Sequence, residues 1–369
     1  MPLRRFGDWF LGLFRRAPRQ EEDPVRRRGP ALHVVILDGT MSSLADGYET
    51  NAGKTYKLLR EAGHTANLTL HYEAGIQWRD WRETYTVMTG KGINRQIRRA
   101  YGVLASRYRE GDRIILIGYS RGAYAVRSLA GVIGKVGLLR PHEAIERNIR
   151  QAYRLYQLRS DPTTRAAFRA AYCHAEVRID AIGVWDTVKA LGLRLPLLWR
   201  LTEEKHSFHD HRLGPHVAFG FHALGIDETR EGYLPVLWSS PDNFDGRVEQ
   251  IWFRGTHGDV GGQIGDFLPA RPLANIPLVW LLERLADCGL PLPAGWQGRF
   301  PQDPLAPMVS TWRGWGKLFL LRKRRLVGRE PSEFLHPSAK DHPRGAELPV
   351  WSPAQKEEGF NRTKRPTNG

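Results

Sequence analysis

The sequence predicts an α/β fold with a mainly parallel central sheet flanked by helices. One observation is that residues 33–37 and 113–117 are short β-rich runs, apolar after their first residue. Such runs are typical of strands that are buried on both faces, as in parallel sheets. Helical patterns stand on both sides of the second run, and a tight glycine turn joins that run to the helix after it. Helix, buried strand, tight turn and helix in succession indicate α/β architecture.

The other elements repeat this alternation along the chain. Residues 93–109 carry apolar side chains at three- and four-residue spacing with arginines between them, which predicts an amphipathic helix. From residue 329 onward, proline and charged residues dominate, and the last thirty or so residues are predicted to be loop or tail. Further strands are predicted at residues 67–72, 179–185 and 250–253, and further helices at residues 123–133, 142–172 and 273–285.

Length and composition predict one folded domain with a segment at each end. The chain has 369 residues, of which 41% are hydrophobic and 25% charged, so disorder and fibrous repeats are excluded as its main organisation. We predict a basic amphipathic or disordered segment over residues 1–30, the α/β domain over residues 31–340, and a polar, proline-rich tail over residues 341–369.

Cysteine content and the lengths of the apolar runs favour a cytoplasmic protein. Only Cys173 and Cys288 occur, which is too few for a disulfide framework and lacks the spacing of a structural zinc site. No run approaches the roughly 18 consecutive apolar residues of a transmembrane helix. Near the N-terminus, Asp8 and flanking arginines interrupt the apolar residues, so we expect no signal peptide.

The formal charge of +16 is concentrated at the two ends of the chain. Residues 1–30 carry eight basic and four acidic side chains, and residues 313–369 carry thirteen basic and six acidic ones. Residues 3–16 and 312–325 interleave basic with aromatic side chains, which suits peripheral binding to an anionic membrane. The alternatives are a self-packing tail and a domain helix with a solvated basic end. No motif of a DNA or RNA reader is present, so we expect no nucleic-acid partner.

The glycine turn after residues 113–117 has the pattern of a nucleophile elbow. It reads Gly-Tyr-Ser-Arg-Gly, with Gly118 and Gly122 flanking Ser120. A strand-to-helix turn this sharp requires small residues and leaves the serine hydroxyl exposed at the edge of the sheet. We therefore predict Ser120 as a nucleophile and the backbone N–H of Arg121 as an oxyanion donor. The alternative is a tight turn with a capping serine.

A serine nucleophile needs a histidine base and a carboxylate that orients it, in the chain order serine, acid, histidine. Asp186 directly follows the strand predicted at residues 179–185, and His257 lies in a glycine-flanked loop after the strand at residues 250–253. We predict these two as the acid and the base. Asp186 has a helix cap as its alternative role, and Asp227 is the competing acid. Asp259, in the same loop as His257, is a supporting candidate.

The second oxyanion donor is expected after the first predicted strand. The turn there is Asp38-Gly39-Thr40. Because glycine lets the backbone approach a substrate closely, the N–H of Gly39 or Thr40 is the predicted donor. Asp38 is expected to brace the turn through hydrogen bonds.

A histidine-rich run at residues 206–211 contains metal-ligand residue types. It lacks the helical His-Glu-x-x-His spacing and a defined further ligand. We interpret it as a polar loop, and we expect neither a metal nor an organic cofactor.

Together these motifs resemble a known family, the α/β-hydrolase catalytic domain of type VI secretion lipase effectors that are similar to phospholipases. This family was formerly a domain of unknown function. The elbow with arginine and alanine, Ser-Arg-Gly-Ala, is the most specific part of the resemblance, which implies a triad of Ser120, Asp186 and His257. Residues 41–44, Met-Ser-Ser-Leu, depart from the family's usual tryptophan-asparagine continuation. The matching blocks are residues 37–40, 108–131, 183–188, 222–230, 252–262 and 336–338.

These features predict an α/β-hydrolase-like serine hydrolase that cleaves carboxylic esters through an acyl-enzyme. On the resemblance and the two basic-aromatic stretches, the expected substrates are acyl esters of lipids or phospholipids. One alternative is a soluble esterase or thioesterase of the same fold. Another is a catalytically idle domain that binds a membrane surface or a protein partner.

Overall fold

The computed structural model describes residues 29–63, 67–75, 91–158, 160–188, 212–240, 247–312, 316–317 and 319–352. Its core is a seven-stranded sheet of order β2-β1-β3-β4-β5-β6-β7. Every neighbouring pair of strands is parallel, which confirms the predicted α/β fold with a parallel central sheet. The strands are β1 (Leu32–Leu37), β2 (Leu68–Glu73), β3 (Arg113–Tyr119), β4 (Ile179–Trp185), β5 (Val217–Gly225), β6 (Val248–Phe253) and β7 (Glu333–Leu335).

Helices connect most of the strands. The predicted helix over residues 142–172 is two helices, because the side chain of Asp161 caps the second one and Pro162 begins it. The helices are α1 (Asn51–Ala62), α2 (Lys91–Arg107), α3 (Arg121–Lys135), α4 (Glu146–Gln157), α5 (Pro162–Tyr172), α6 (His257–Gly261) and α7 (Arg271–Asp287). In the described ranges, no helix combines the length and the apolar character that crossing a bilayer requires.

Both faces of the sheet are covered, which gives three layers. Alternate side chains of β3 point to opposite faces, as the two-residue period of a strand requires. Ile114 and Leu116 pack in one cluster with α2, α3 and α4. Ile115 and Ile117 pack in the other with α1 and α7. The uninterrupted apolar character of this strand therefore reflects burial on both sides.

Four elements, α1, β5, α6 and β7, have no counterpart in the sequence predictions. Strand β7 lies in the part of the sequence, from residue 329 onward, where proline and charged residues dominate. Its first residue, Glu333, is 2% exposed, and its carboxylate accepts hydrogen bonds from the indole of Trp252 at 2.7 Å and from the Arg329 N–H at 2.7 Å. These bonds compensate the buried charge, so a charged residue begins a buried strand.

Part of the predicted C-terminal tail packs on the edge of the sheet. Leu348 is buried, Val350 forms a bridge with Leu335, and Trp351 packs edge-on against Trp280. Residues 341–352 therefore extend the packed domain, whereas residues 353–369 lie outside the described residues.

The strand order places a crevice at the carboxyl ends of β1 and β3. The chain runs outward from β1 to β2, returns to β3 on the other side of β1, and then continues to β7. In parallel sheets, ligands bind where the strand order reverses in this way, because the loops on the two sides diverge. The turn at residues 38–40 and the turn that contains Ser120 both border this crevice.

A buried ion pair fastens α7 to β6, and its removal tests this packing. The guanidinium of Arg284 binds both carboxylate oxygens of Glu249, and the side chains are 3% and 8% exposed. We expect Arg284→Leu to lower the free energy of unfolding by about 3–5 kcal/mol, because it leaves a buried carboxylate without its counter-charge. Chemical denaturation measures this loss.

The double variant Arg284→Leu with Glu249→Leu is the control for this prediction. It removes both charges, so it should recover at least half of the lost stability. A loss below about 1 kcal/mol in the single variant would show that the ion pair does not hold these elements together.

Candidate active site

The turn between β3 and α3 holds Ser120 in a backbone conformation that residues with side chains rarely adopt. Its φ is 57° and its ψ is −121°. Such conformations cost about 1–3 kcal/mol and persist where the surrounding structure enforces them. The flanking glycines show this enforcement. A Cβ atom on Gly118 would lie 2.7 Å from the Ala123 Cα, and one on Gly122 would lie 2.0 Å from the Leu37 carbonyl oxygen.

His257 lies directly opposite this serine. It is the first residue of α6, which follows β6 after a short loop. Its Nε2 is 2.9 Å from the Ser120 Oγ, and its Nδ1 is 2.5 Å from the Asp186 Oδ2. The ring stacks on Tyr119 with a centroid distance of 4.9 Å, and the ring of Tyr233 meets it edge-on at 4.8 Å. These contacts fix the plane of the imidazole between the serine and the carboxylate.

Asp186 lies at the carboxyl end of β4 and is fully buried. Like Ser120, it has a positive φ, of 41°. Its Oδ1 accepts a hydrogen bond from the Gly225 N–H at 3.2 Å. Arg325 binds both carboxylate oxygens, with Nη1 at 2.6 Å from Oδ1 and Nη2 at 2.7 Å from Oδ2. No motif in the sequence marks this arginine as part of the site.

Burial and nearby charges together favour an ionised Asp186 beside a neutral His257. Burial by itself raises the pKa of Asp186, but the charge of Arg325 and hydrogen bonds from His257 and Arg325 reverse this effect and hold its pKa well below the usual range. Burial lowers the pKa of His257 below the ordinary value of 6.5, although the hydrogen bond with Asp186 opposes this shift. A neutral imidazole is able to accept a proton from a serine hydroxyl.

The other two carboxylates predicted near the site make different contacts. Asp227 accepts hydrogen bonds from the Gly255 N–H at 2.8 Å and from the His342 ring at 2.9 Å. Asp259 caps the start of α6, where it accepts bonds from the N–H and hydroxyl of Thr256. Both residues therefore brace the loop that carries His257, and Asp186 is the carboxylate on the imidazole.

The carboxylate of Glu228, which no sequence motif marks as part of the site, supports the backbone at His257. Glu228 is fully buried and accepts a hydrogen bond from the His257 N–H at 3.2 Å. It forms an ion pair with Arg230 at 2.7 Å. Burial raises the pKa of Glu228, but the hydrogen bond and charge of Arg230 outweigh it and lower the pKa. The guanidinium of Arg230 also lies 3.9 Å from the centre of the Tyr233 ring.

The turn after β1 passes directly over the serine. A Cβ atom on Gly39 would lie 2.6 Å from the Tyr119 ring and 3.3 Å from the Ser120 Cβ, so only glycine fits there. Asp38 braces this turn, because its carboxylate accepts bonds from the Gly39 N–H at 2.6 Å, the Thr50 hydroxyl at 2.7 Å and the Tyr72 hydroxyl at 2.8 Å. Burial raises the pKa of Asp38 to about 6.

Two backbone donors remain available beside the serine. The Gly39 N–H is already bound to Asp38. Among the described residues, the N–H groups of Thr40 and Arg121 donate to no protein acceptor. The Thr40 carbonyl is held by the Gln263 amide at 2.9 Å, which fixes the orientation of this turn. Of the two donors predicted in the turn, Thr40 is therefore the free one.

The two basic-aromatic stretches and the histidine-rich run are described only in part. Residues 3–16 and 206–211 lie outside the described residues. Within the described ranges, no group of three or more His, Cys, Asp or Glu side chains is arranged to hold a metal ion. In the stretch at residues 312–325, Arg325 points inward to Asp186, whereas Leu320 and Leu321 are 79% and 60% exposed.

Residues 32–284 match the family model described as the type VI secretion phospholipase effector Tle1-like catalytic domain. The chain belongs to this family. Membership supports a lipase- or phospholipase-like hydrolase, in agreement with the resemblance found in the sequence. The matched region contains Ser120, Asp186 and His257, and Arg325 lies beyond its end.

The chain is also similar to a yeast protein and aligns with two solved structures. The chain is 27% identical over 232 residues to the uncharacterized protein YEL023C of Saccharomyces cerevisiae. This alignment covers 56% of this chain and 32% of the yeast protein. An uncharacterized protein from Pseudomonas aeruginosa aligns with 14% identity and a TM-score of 0.43, over 74% of this chain and 49% of its own. The Tle1 effector bound to the VgrG spike aligns with 12% identity and a TM-score of 0.38, over 91% and 84%.

The contact between the elbow and β1 yields a test of the site's architecture. We expect Gly122→Ala to lower the free energy of unfolding by at least about 3 kcal/mol, because the new methyl group would force α3 away from the Leu37 carbonyl. Gly298→Ala is a matched control, since a Cβ atom there meets nothing within 4 Å. It should change stability by less than about 0.5 kcal/mol.

Urea denaturation of both glycine variants measures these effects. Equal stability of Gly122→Ala and Gly298→Ala would contradict the close packing of the elbow against β1.

Proposed function

We propose that this chain is a serine hydrolase that cleaves acyl esters of lipids or phospholipids with Ser120, His257 and Asp186. The observation that carries the proposal is the continuous series of hydrogen bonds from the Ser120 Oγ through both nitrogens of His257 to the Asp186 carboxylate. The strained elbow and the two free N–H groups beside it support the same chemistry. Membership in the Tle1-like family supports the lipid class of substrate.

The proposed reaction has two steps that share one base. The Ser120 Oγ attacks the acyl carbon while the His257 Nε2 accepts the hydroxyl proton. The resulting oxyanion accepts hydrogen bonds from the Thr40 and Arg121 N–H groups, and His257 then donates its proton to the leaving alcohol. Water then attacks the acyl carbon of the acyl-enzyme while His257 accepts a proton from it. His257 returns this proton to the Ser120 Oγ as the fatty acid leaves. Asp186 keeps the Nδ1 proton in place and stabilises the imidazolium. This cycle needs neither a metal nor an organic cofactor.

We further propose that the mouth of the site works at a lipid surface. Loops at the carboxyl edge of the sheet carry large apolar side chains that face solvent. The backbone N–H of Val309 binds Asp259, and Phe319 packs against Tyr233, so the chain at Val309 and at Phe319 borders the site. Apolar side chains beside cations such as Lys323 suit peripheral binding to an anionic bilayer. The exposed apolar residues of these loops are Met41, Leu268, Leu305, Met308, Trp312, Leu320 and Leu321.

The role of Ser120 is tested by removing its hydroxyl. Ser120→Ala should abolish covalent labelling by a fluorophosphonate and lower ester turnover by roughly 10³-fold or more, because no nucleophile remains. Thermal unfolding by circular dichroism should show a folded protein. Wild-type turnover in the variant would exclude Ser120 from the mechanism. A folded wild type that takes no label would favour the idle binding domain instead.

The identity of the acid is tested with a matched pair of substitutions. Asp186→Asn should lower kcat by roughly 10⁴-fold, because an amide donates to Nδ1 and favours the wrong tautomer of His257. Asp227→Asn should cost less than about tenfold, since the Asp227 carboxylate binds the Gly255 N–H and the His342 ring and His257 binds Asp186 instead. Steady-state hydrolysis of a p-nitrophenyl ester measures both. The opposite ranking would make Asp227 the acid.

The lipid surface is tested with a double substitution in the exposed loop. Leu320→Ser with Leu321→Ser should lower fatty-acid release from vesicles of anionic phospholipid by about tenfold or more, because apolar area at the interface is lost. Hydrolysis of a soluble short-chain ester should not change. Leu158→Ser, at an equally exposed leucine beyond α4, is the control. Activity on soluble esters without lipid hydrolysis in the wild type would indicate a soluble esterase.

A further inference from the structure

Arg325 contacts the proposed acid with a geometry that only an arginine provides. Its side chain is 1% exposed and that of Asp186 is fully buried. Besides the two carboxylate oxygens, Nη1 donates to the Gly225 carbonyl at 2.7 Å and Nη2 to the Tyr233 carbonyl at 2.6 Å. Each terminal nitrogen therefore makes two hydrogen bonds, an arrangement that the planar guanidinium fork allows and a single ammonium group does not.

The same carboxylate oxygen serves both the arginine and the imidazole. Asp186 Oδ2 lies 2.7 Å from Arg325 Nη2 and 2.5 Å from His257 Nδ1. The negative charge that would stabilise a protonated His257 is thus shared with a permanent cation. A carboxylate that binds only the histidine would attract the imidazolium with its whole negative charge. Because Arg325 also binds Asp186, proton uptake by the Asp186–His257 pair is less favourable.

We propose that Arg325 is a positioning residue that fixes the Asp186 carboxylate. It also lets His257 stay neutral at a lower pH than it would beside an aspartate that binds no arginine. This inference rests on the proposed function, since it assigns a role within the same triad. It adds a residue from outside the matched family region to the machinery of the site.

Other charged and titratable groups also surround the pair, but Arg325 is the cation that binds the Asp186 carboxylate itself. Arg230 and Glu228 also face His257, but they form an ion pair with each other. Tyr119 and Tyr233 border the ring through aromatic contacts. His222, beneath Asp186, is fully buried, which lowers its pKa to about 3 and leaves it neutral. Asp38 faces the hydroxyl side of Tyr119 and binds the turn after β1.

The expected sign follows from the pair as a whole. Asp186 and His257 are strongly coupled, so the first proton that they take up belongs to both. Without the Arg325 charge, binding of that proton becomes more favourable on either residue. The acid limb, which is the fall in activity at low pH, therefore moves to higher pH. The wild-type limb should lie below pH 6.5, because burial lowers the pKa of His257.

The test is the pH dependence of the rate of fluorophosphonate labelling, measured on the full chain. Arg325→Gln should move the acid limb upward by about one pH unit and lower the plateau rate about tenfold. Arg325→Lys keeps the charge but loses the fork, so its limb should stay within about 0.3 unit of wild type while the plateau falls. Arg322→Gln is the control, since Arg322 is in the same loop and binds the Thr311 and Gly316 carbonyls.

Each result decides the role of Arg325. An unshifted limb in Arg325→Gln, or equal shifts in the Gln, Lys and Arg322→Gln variants, would overturn it while leaving the labelled serine intact. A wild type that takes no label would instead refute the proposed function. If Arg325→Gln does not fold, Arg325→Lys decides. A lowered plateau rate with the acid limb within about 0.3 unit of wild type supports the inference, and a wild-type plateau rate in Arg325→Lys contradicts it.

Discussion

The buried carboxylate of Asp186 is the constraint on which the site depends. A carboxylate without solvent is unfavourable unless opposite charges and hydrogen bonds replace the water it has lost. Here those partners come from distant parts of the chain: Arg325, His257 and the Gly225 N–H. Satisfying one charge therefore brings the ends of β4 and β5, the start of α6 and the loop after residue 319 into a single arrangement.

The second constraint is the contact between the elbow and the first strand. Gly122 touches the end of β1, and Gly39 touches Ser120 and the ring beneath it. The turn after β1 is itself held by Asp38 on one side and Gln263 on the other. Because both turns are held by these contacts, we propose that the N–H groups of Thr40 and Arg121 are preorganised for a developing negative charge.

Local patterns were enough to predict the sheet and the strand-to-helix glycine turn, because strand ends and glycine turns are encoded by neighbouring residues. The structure brings the predicted His257 within hydrogen-bond distance of both Ser120 and Asp186. Other features depend on distant partners. Nothing in the run at residues 322–325 distinguishes the buried Arg325 from its exposed neighbours Lys323 and Arg324. Which of these side chains is buried depends on the path of the irregular loop that carries them. Strand β7 was missed for the same reason, since its buried Glu333 is compensated by groups that sequence patterns do not bring together.

The most direct test of the central claim is to trap the covalent intermediate. The purified chain would be mixed with phospholipid vesicles, quenched in acid within milliseconds to seconds, digested and examined by mass spectrometry. We expect a fatty-acyl group in ester linkage to Ser120, absent from a sample without lipid. Release of fatty acid with no acyl group on Ser120 at any quench time would contradict nucleophilic catalysis by this serine.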